Sequence, residues 1–253
     1  AAATGLFFNA GSNTIRGLVI NQFGVDGLFL SNGGNTVQCN FIGTDVTGML
    51  DLHNGQSGVF DNATSNNRIG GSTPGQGNLI SGHPFEPLRI AASDNNVIQG
   101  NILGLDVNGN AQLGASNRGI LLTGSNNLVG GATATARNLI AGASYGMDVA
   151  VGSNNVIRGN YIGTDGAGTS SRANATGIWV NGSANNTMIE ANLIAGNGQA
   201  GVWLSGGPTN THLWANRIGV QADGVAALGN GQQGVRIENA TNSYVGRVGL
   251  GNI

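Results

Sequence analysis

Short apolar segments with alternating polar positions recur along the whole chain. One of them, a glycine followed by an apolar, a variable and a second apolar residue, returns every 22 to 33 residues. Two further apolar segments, set apart by Asn and Gly, fall within each interval. A period of two is typical of β-strands, and segments of three to five residues are too short for helices. The pattern therefore predicts three strands in each interval.

Longer repeats support the same organisation. The segment NTVQCNFIGTD at 35–45 returns as NVIQGNILGLD at 96–106 and as NVIRGNYIGTD at 155–165. A second unit lies between these copies and ends in GNLISG at 77–82, RNLIAG at 137–142 and ANLIAG at 191–196. Strands with no helical crossover are best satisfied by stacking each one on its equivalent in the preceding coil. We predict an all-β fold, a parallel β-helix of about nine coils with three short parallel sheets, as a single domain over 1–253.

One asparagine recurs at the same place in most coils, between two ladders of inward aliphatic residues. Asn tolerates a left-handed corner, and its amide can bond to the next amide of a stack. We therefore assign these residues to a structural ladder at the corner between the second and third sheets. They are Asn40, Asn78, Asn101, Asn138, Asn160, Asn192 and Asn216.

Charge and composition limit the kinds of molecule that the chain is expected to bind. Charged residues make up 9 % of the chain, all ten basic residues are arginine, and the net charge is -2. Nucleic-acid binding usually needs a clustered basic surface, so we expect no nucleic-acid partner. The sequence also contains no apolar run long enough for a membrane span. Cys39 is the one cysteine, which excludes an internal disulfide, and its place before Asn40 predicts a buried small residue.

These repeats resemble the right-handed parallel β-helix proteins of bacterial secreted and cell-surface type, within the pectate-lyase-like superfamily. The resemblance rests on NNxIxGNxIGTD, GNLISG and the glycine-led strand, and it covers essentially the whole chain. It implies a secreted or cell-surface location. It also implies that a bound glycan would lie along the outer face of the first sheet, between flanking loops.

The middle residue of each glycine-led strand is predicted to point outward, because side chains alternate across a strand. Aromatic residues fill five of these nine positions, and a row of rings can stack on sugars or pack against a protein. Phe60, Trp179 and Trp203 are therefore candidates for polysaccharide binding, unless neighbouring loops cover them. The nine positions are Phe7, Phe29, Phe60, Arg89, Leu121, Asp148, Trp179, Trp203 and Arg236.

The function predicted from these features is a structural or adhesive rod, with polysaccharide or a surface protein as its partner. The alternative is a polysaccharide lyase, hydrolase or epimerase that acts between the first sheet and the long loops. Its candidate catalytic residues are Arg89, Asp148 and Arg236, since lyases and hydrolases need a base or carboxylates facing the polymer. No paired aspartates or Gly-His-Gly motif accompany them, and the three histidines are predicted at the surface.

Four long loops fall on alternate coils, at 45–57, 106–118, 165–176 and 221–233. Asp45, Asp106 and Asp165 begin three of them and are the candidate calcium ligands. Carboxylates about 10 Å apart cannot share one ion, so a turn-closing role for each aspartate explains the spacing without metal. We therefore predict no cofactor. The ends of the sequence lack a polar cap, which favours an excerpt of a longer repetitive protein or end-to-end self-association.

Overall fold

Three parallel sheets contain all 26 strands of the computed structural model, which describes residues 2–253. The first sheet is formed by β1 (Leu6–Phe8), β4 (Leu28–Leu30), β7 (Val59–Asn62), β10 (Leu88–Ala91), β13 (Ser116–Thr123), β16 (Ala143–Val151), β19 (Thr176–Val180), β22 (Val202–Leu204) and β25 (Val235–Ile237). The second is formed by β2 (Thr14–Arg16), β5 (Thr36–Gln38), β8 (Arg68–Gly70), β11 (Val97–Gln99), β14 (Leu128–Gly130), β17 (Val156–Arg158), β20 (Met188–Glu190), β23 (His212–Trp214) and β26 (Tyr244–Val245). The third is formed by β3 (Val19–Ile20), β6 (Phe41–Ile42), β9 (Leu79–Ile80), β12 (Ile102–Leu103), β15 (Leu139–Ile140), β18 (Tyr161–Ile162), β21 (Leu193–Ile194) and β24 (Arg217–Ile218).

Each strand pairs with its equivalent one coil away, so the predicted parallel β-helix with three sheets is confirmed. The only helical segment among the described residues is a short 3₁₀ turn at Ala134–Ala136. Inward side chains stack into continuous columns. In the second sheet, for example, Ile98 pairs with Ile69 on one side and Val129 on the other, and all three are fully buried. Such columns remove aliphatic surface from water along the whole rod.

The predicted asparagine ladder is present and is fully hydrogen-bonded. Asn101 accepts bonds from the backbone and the side chain of Asn78, at 3.0 and 2.9 Å, and it donates to Asn138 at 3.0 Å and to the Ile69 carbonyl at 2.9 Å. Asn252 continues the ladder beyond Asn216. A buried amide is stable only when its polar atoms are satisfied, and this stack satisfies them coil by coil.

One detail of that corner was predicted wrongly. The left-handed residue is not the ladder asparagine but the one before it, with φ of 58° at Cys39, 54° at Ala191 and 53° at Ala215. Cys39 is therefore half-buried rather than buried, and its Sγ lies 2.7 Å from the Gly75 carbonyl. The small residues at this position reflect a strained turn that faces outward, since side chains are costly in the left-handed region.

Two further polar ladders were not predicted. At the corner between the first and second sheets, the side-chain oxygen of one asparagine accepts the backbone N–H of the preceding one, from Asn13 through Asn35, Asn67, Asn96 and Asn127 to Asn155. At the corner between the third and first sheets, Asn174 donates to Asn197, which donates to Asn230. All three corners of the rod therefore use stacked amides.

The glycine of the glycine-led strand also has a steric cause. A Cβ at Gly27 would lie 2.8 Å from the carbonyl oxygen of Gly58, and a Cβ at Gly177 would lie 2.4 Å from that of Gly201. Successive coils thus approach too closely for a side chain at this corner. The repeated glycine marks close backbone approach in a column, not a left-handed conformation.

Candidate functional site

The nine middle residues of the first sheet lie in one register, strand after strand. Phe7 pairs with Phe29, Phe29 with Phe60, and the row continues to Trp203 and Arg236. In β4, β7, β10, β19 and β22 these residues are half-buried while their neighbours are buried, so they face outward as predicted. This outer row is the candidate site that the sequence indicates.

The aromatic residues of the outer row form two stacks. In the first, the rings of Phe7 and Phe29 are 5.2 Å apart at 17°, and Phe60 meets Phe29 edge-on at 4.9 Å. Arg89 closes that stack, with its guanidinium carbon 4.4 Å from the Phe60 ring centre. Phe7, at the other end, is 63 % exposed.

The second stack contains both candidate tryptophans. The rings of Tyr145 and Trp179 lie 4.7 Å apart, and those of Trp179 and Trp203 lie 5.4 Å apart at 17°. Arg236 lies over Trp203 at 5.0 Å. The faces of these three rings are therefore turned toward one another along the rod, and this stack presents ring edges to a ligand rather than open faces. A sugar that stacks on an aromatic face would have to displace a ring from this stack.

An ion-pair cluster separates the two stacks. Arg118 donates to Asp148 at 2.5 Å and to Glu86 at 3.2 Å, and Asn181 donates to the other oxygen of Asp148 at 2.6 Å. The side chain of Asp148 is only 3 % exposed. Burial opposes the charge on Arg118, but the Asp148 and Glu86 carboxylates raise the pKa of its guanidinium above the usual value. Asp148 is thus held as a buried counter-ion.

Arg118 and Glu86 were not identified from the sequence. Arg118 lies in the early part of β13, where β13 and β16 extend beyond the three or four residues of most strands in the first sheet. Glu86 lies in the loop before β10. The available signal was the polar residues that precede the apolar part of β13 and of β16, SNR at 116–118 and SY at 144–145. These residues do not repeat along the chain.

The three candidate catalytic residues are not brought together. Leu121 lies between Arg89 and Asp148 in the register, and Trp179 and Trp203 lie between Asp148 and Arg236. Arg236 donates to Glu238 at 2.7 Å. Each charged group of the outer row therefore contacts a neighbour on the rod itself.

The aspartates of the long loops close their own turns. The side chain of Asp45 accepts backbone N–H bonds from Met49 and Leu50, both at 3.0 Å, and the Thr47 hydroxyl at 2.6 Å. The bond from Thr47 is the main reason that the pKa of Asp45 is lowered to about 2. Asp165 accepts the equivalent two bonds, from Thr169 and Ser170, and Asp106 accepts one, from Asn110. Within residues 2–253, no group of three or more potential ligands is placed to hold a metal ion.

The turns of the long loops do not lie over the first sheet. Their turns stack on one another every second coil, with the Val107 N–H bonded to Gly48 and the Gly166 N–H bonded to Gly109. A Cβ at Gly48 would meet Leu79, and one at Gly109 would meet Leu139. Both leucines belong to the third sheet, so the loop turns fold onto its outer face, away from the outer row.

His83 departs from the predicted surface position. It is 1 % exposed, and its Nε2 lies 3.1 Å from the Asn54 amide, where other coils place an asparagine ladder. Burial, followed by the charge of His53, lowers the pKa of His83 to about 3. His83 is therefore a neutral part of a polar corner.

A family comparison agrees with this geometry. Residues 4–218 match the model for the right handed beta helix region. The chain belongs to that family. This membership accounts for the three parallel sheets and confirms the predicted fold. One fold can carry many different activities, so the fold alone does not assign an activity to this chain. No curated protein matches this β-helix. Among the described residues of the β-helix, no helix has the length and apolar character needed to cross a membrane.

Proposed function

We propose that this β-helix serves as a rigid rod in a secreted or cell-surface protein, with a structural or adhesive role. The observation that carries the proposal is the engagement of the charged groups on the outer row. Asp148 is buried against Arg118, Arg89 covers Phe60, and Arg236 bonds to Glu238. Groups held in this way stabilise a surface and contribute little as free acids or bases.

Continuous hydrogen-bonded columns also support a rod. The three asparagine ladders and the inward aliphatic columns repeat from coil to coil, so each coil is supported by its neighbours. In such a solenoid the free energy of unfolding is approximately a sum of contributions from each coil and each contact between neighbouring coils. This suits an element that holds a fixed length. At the usual strand spacing, nine coils give a rod of about 40 Å.

Polysaccharide binding along the outer row is the second candidate function. The half-buried Phe60, Trp179 and Trp203 lie on one continuous surface, and aromatic edges can contact the apolar faces of sugars. The indole N–H groups are already used, since Trp179 donates to Ser205 and Trp203 to Glu238. Any glycan contact there would be mostly apolar.

Beads coated with the purified chain would test both candidates against an array of neutral and acidic polysaccharides. Adhesion that is lost in a Trp179→Ala, Trp203→Ala double variant would place the glycan on the outer row. Trp214→Ala is the matched control, because this tryptophan lies on β23 of the second sheet. Adhesion that survives both changes would favour another face of the rod.

A second readout tests the enzymatic alternative. The same polysaccharides are incubated with the chain, and new reducing ends or unsaturated products are followed over time. Product that accumulates with the original chain and disappears in Arg89→Ala or Asp148→Asn would overturn the proposal of a non-catalytic rod.

A further inference from the structure

A cleft of about 500 Å³ lies outside the corner between the second and third sheets, far from the outer row in the coil. One wall is the insertion that contains the 3₁₀ turn Ala134–Ala136, and the opposite wall is the segment 249–253. Gly159, Ala191 and Ala215 form its floor, where the left-handed residues of successive coils carry little or no side chain. The volume lies within the usual range for small-molecule sites.

Basic groups are concentrated in this cleft. Arg137, Arg158 and Arg217 line it together with Glu190, although the chain as a whole carries a net charge of -2. Arg158 pairs with Glu190 at 3.0 Å, whereas Arg137 and Arg217 take no part in the five ion pairs of residues 2–253. Arg137 and Arg217 therefore make no contact ion pair within the described part of the chain, although backbone N–H bonds and then the charge of the exposed Arg217 lower the pKa of Asp223 nearby.

Two of the three arginines in the cleft also have an incomplete set of hydrogen bonds. The Nε atoms of Arg137 and Arg158 are buried and have no partner within residues 2–253. Arg137 is held by stacking on Tyr161, with 3.7 Å from its guanidinium carbon to the ring centre. Stacking leaves the rim of a guanidinium for a ligand, and that rim matches a carboxylate through two parallel N–H bonds. An anion would also offset the cost of partly burying the charge of Arg137.

We propose that this cleft binds a small ligand with two or more carboxylate groups, one paired with Arg137 and another with Arg217. These residues flank Asn138 and Asn216, which are three coils apart in the ladder, so their backbones are separated by about 14 Å. Long arginine side chains shorten that span. Arg158, between them, is partly neutralised by Glu190 and contributes a hydrogen-bond donor more than a net charge.

Isothermal titration calorimetry of the full chain at constant ionic strength tests the proposal, with citrate as the polycarboxylate probe and acetate and inorganic phosphate as comparisons. We expect citrate to bind one site, acetate to bind at least tenfold more weakly, and phosphate to bind more weakly than citrate. An Arg137→Gln, Arg217→Gln double variant should weaken citrate binding at least tenfold. An Arg16→Gln, Arg68→Gln double variant is matched in charge and lies on β2 and β8, outside the cleft, so it should leave binding within twofold.

Three results would overturn the proposal. Absence of citrate binding at millimolar concentration would do so, as would an equal loss in the two double variants, which would indicate diffuse charge attraction. Phosphate binding tighter than citrate would replace the carboxylate assignment by another oxyanion. Arg137→Lys adds a test of geometry, because lysine keeps the positive charge but lacks the planar guanidinium that makes two parallel N–H bonds to a carboxylate. We expect this variant to weaken citrate binding.

Discussion

The asparagine ladder makes a quantitative prediction at Asn101. Asn101→Ala removes the acceptor of two buried donors, the backbone N–H and one side-chain N–H of Asn78, at 3.0 and 2.9 Å. The other side-chain hydrogen of Asn78 still reaches Val37, and the Asn138 oxygen still accepts the backbone N–H of residue 101. At roughly 1–3 kcal/mol for each orphaned buried donor, the variant should lose about 2–6 kcal/mol of unfolding free energy.

Urea denaturation measures that loss, with Asn108→Ala as the control, since Asn108 is exposed and should change stability by less than about 0.5 kcal/mol. Hydrogen exchange supplies a local readout, because solenoids can open coil by coil. The Asn78 amide should exchange much faster in Asn101→Ala. A loss below about 1 kcal/mol, with Asn78 still protected, would show that the ladder is not a source of stability.

Three further changes test other features of the rod. Gly177→Ala would place a Cβ 2.4 Å from the Gly201 oxygen and should cost at least about 1–3 kcal/mol in urea denaturation, whereas Gly229→Ala meets nothing within 4 Å and should be neutral. Arg118→Ala leaves two buried carboxylates without a cation and should cost about 3–5 kcal/mol; a loss under 1 kcal/mol would contradict the structural role of the cluster. The pKa of His83 is about 3 in the folded state and 6.5 in the unfolded state, so the unfolded state takes up the proton first as the pH falls. The unfolding free energy should therefore decrease between pH 6.5 and pH 3, by about 5 kcal/mol in all. Unfolding free energy measured against pH should therefore show a smaller acid loss in His83→Asn, and parallel curves would rule out this histidine as the cause.

The inward columns and the ladder from Asn40 to Asn216 could be predicted from sequence because stacking gives every coil the same environment. A residue type that fits one coil fits the next, so the physical requirement appears as a repeat. The left-handed residue before Asn40, Asn101, Asn160, Asn192 and Asn216 carried the same kind of signal in its small side chain. It was assigned one position too late because Asn and Gly both tolerate that conformation.

The two further asparagine ladders repeat and were missed, but most of the other features that could not be predicted occur once. Arg118 and Asp148 are 30 residues apart and meet only because β13 and β16 are lengthened together. The direction of the long loops could not be predicted either. Their spacing in the sequence shows which coil each loop leaves, but it does not show onto which sheet the loop folds. The stacking of Trp179 on Trp203 was implied by their shared register, yet the orientation of the rings depends on packing along the axis.

Repetition therefore separates two kinds of residue in this protein. A side chain that recurs in each coil is sufficiently explained by the fold, whereas a charged residue that breaks the repeat needs another reason to be there. Arg137 replaces the small residue before a ladder asparagine, and it does so beside the insertion that walls the cleft. Its buried Nε lacks a partner, so stacking on Tyr161 satisfies the guanidinium only in part. On the outer row, Asp148 and Arg236 are paired with Arg118 and Glu238, whereas Arg89 stacks on Phe60 with its Nε also unpartnered. The cleft is favoured over the outer row as the place where this rod recognises a small ligand because there such groups line a partly enclosed volume of about 500 Å³.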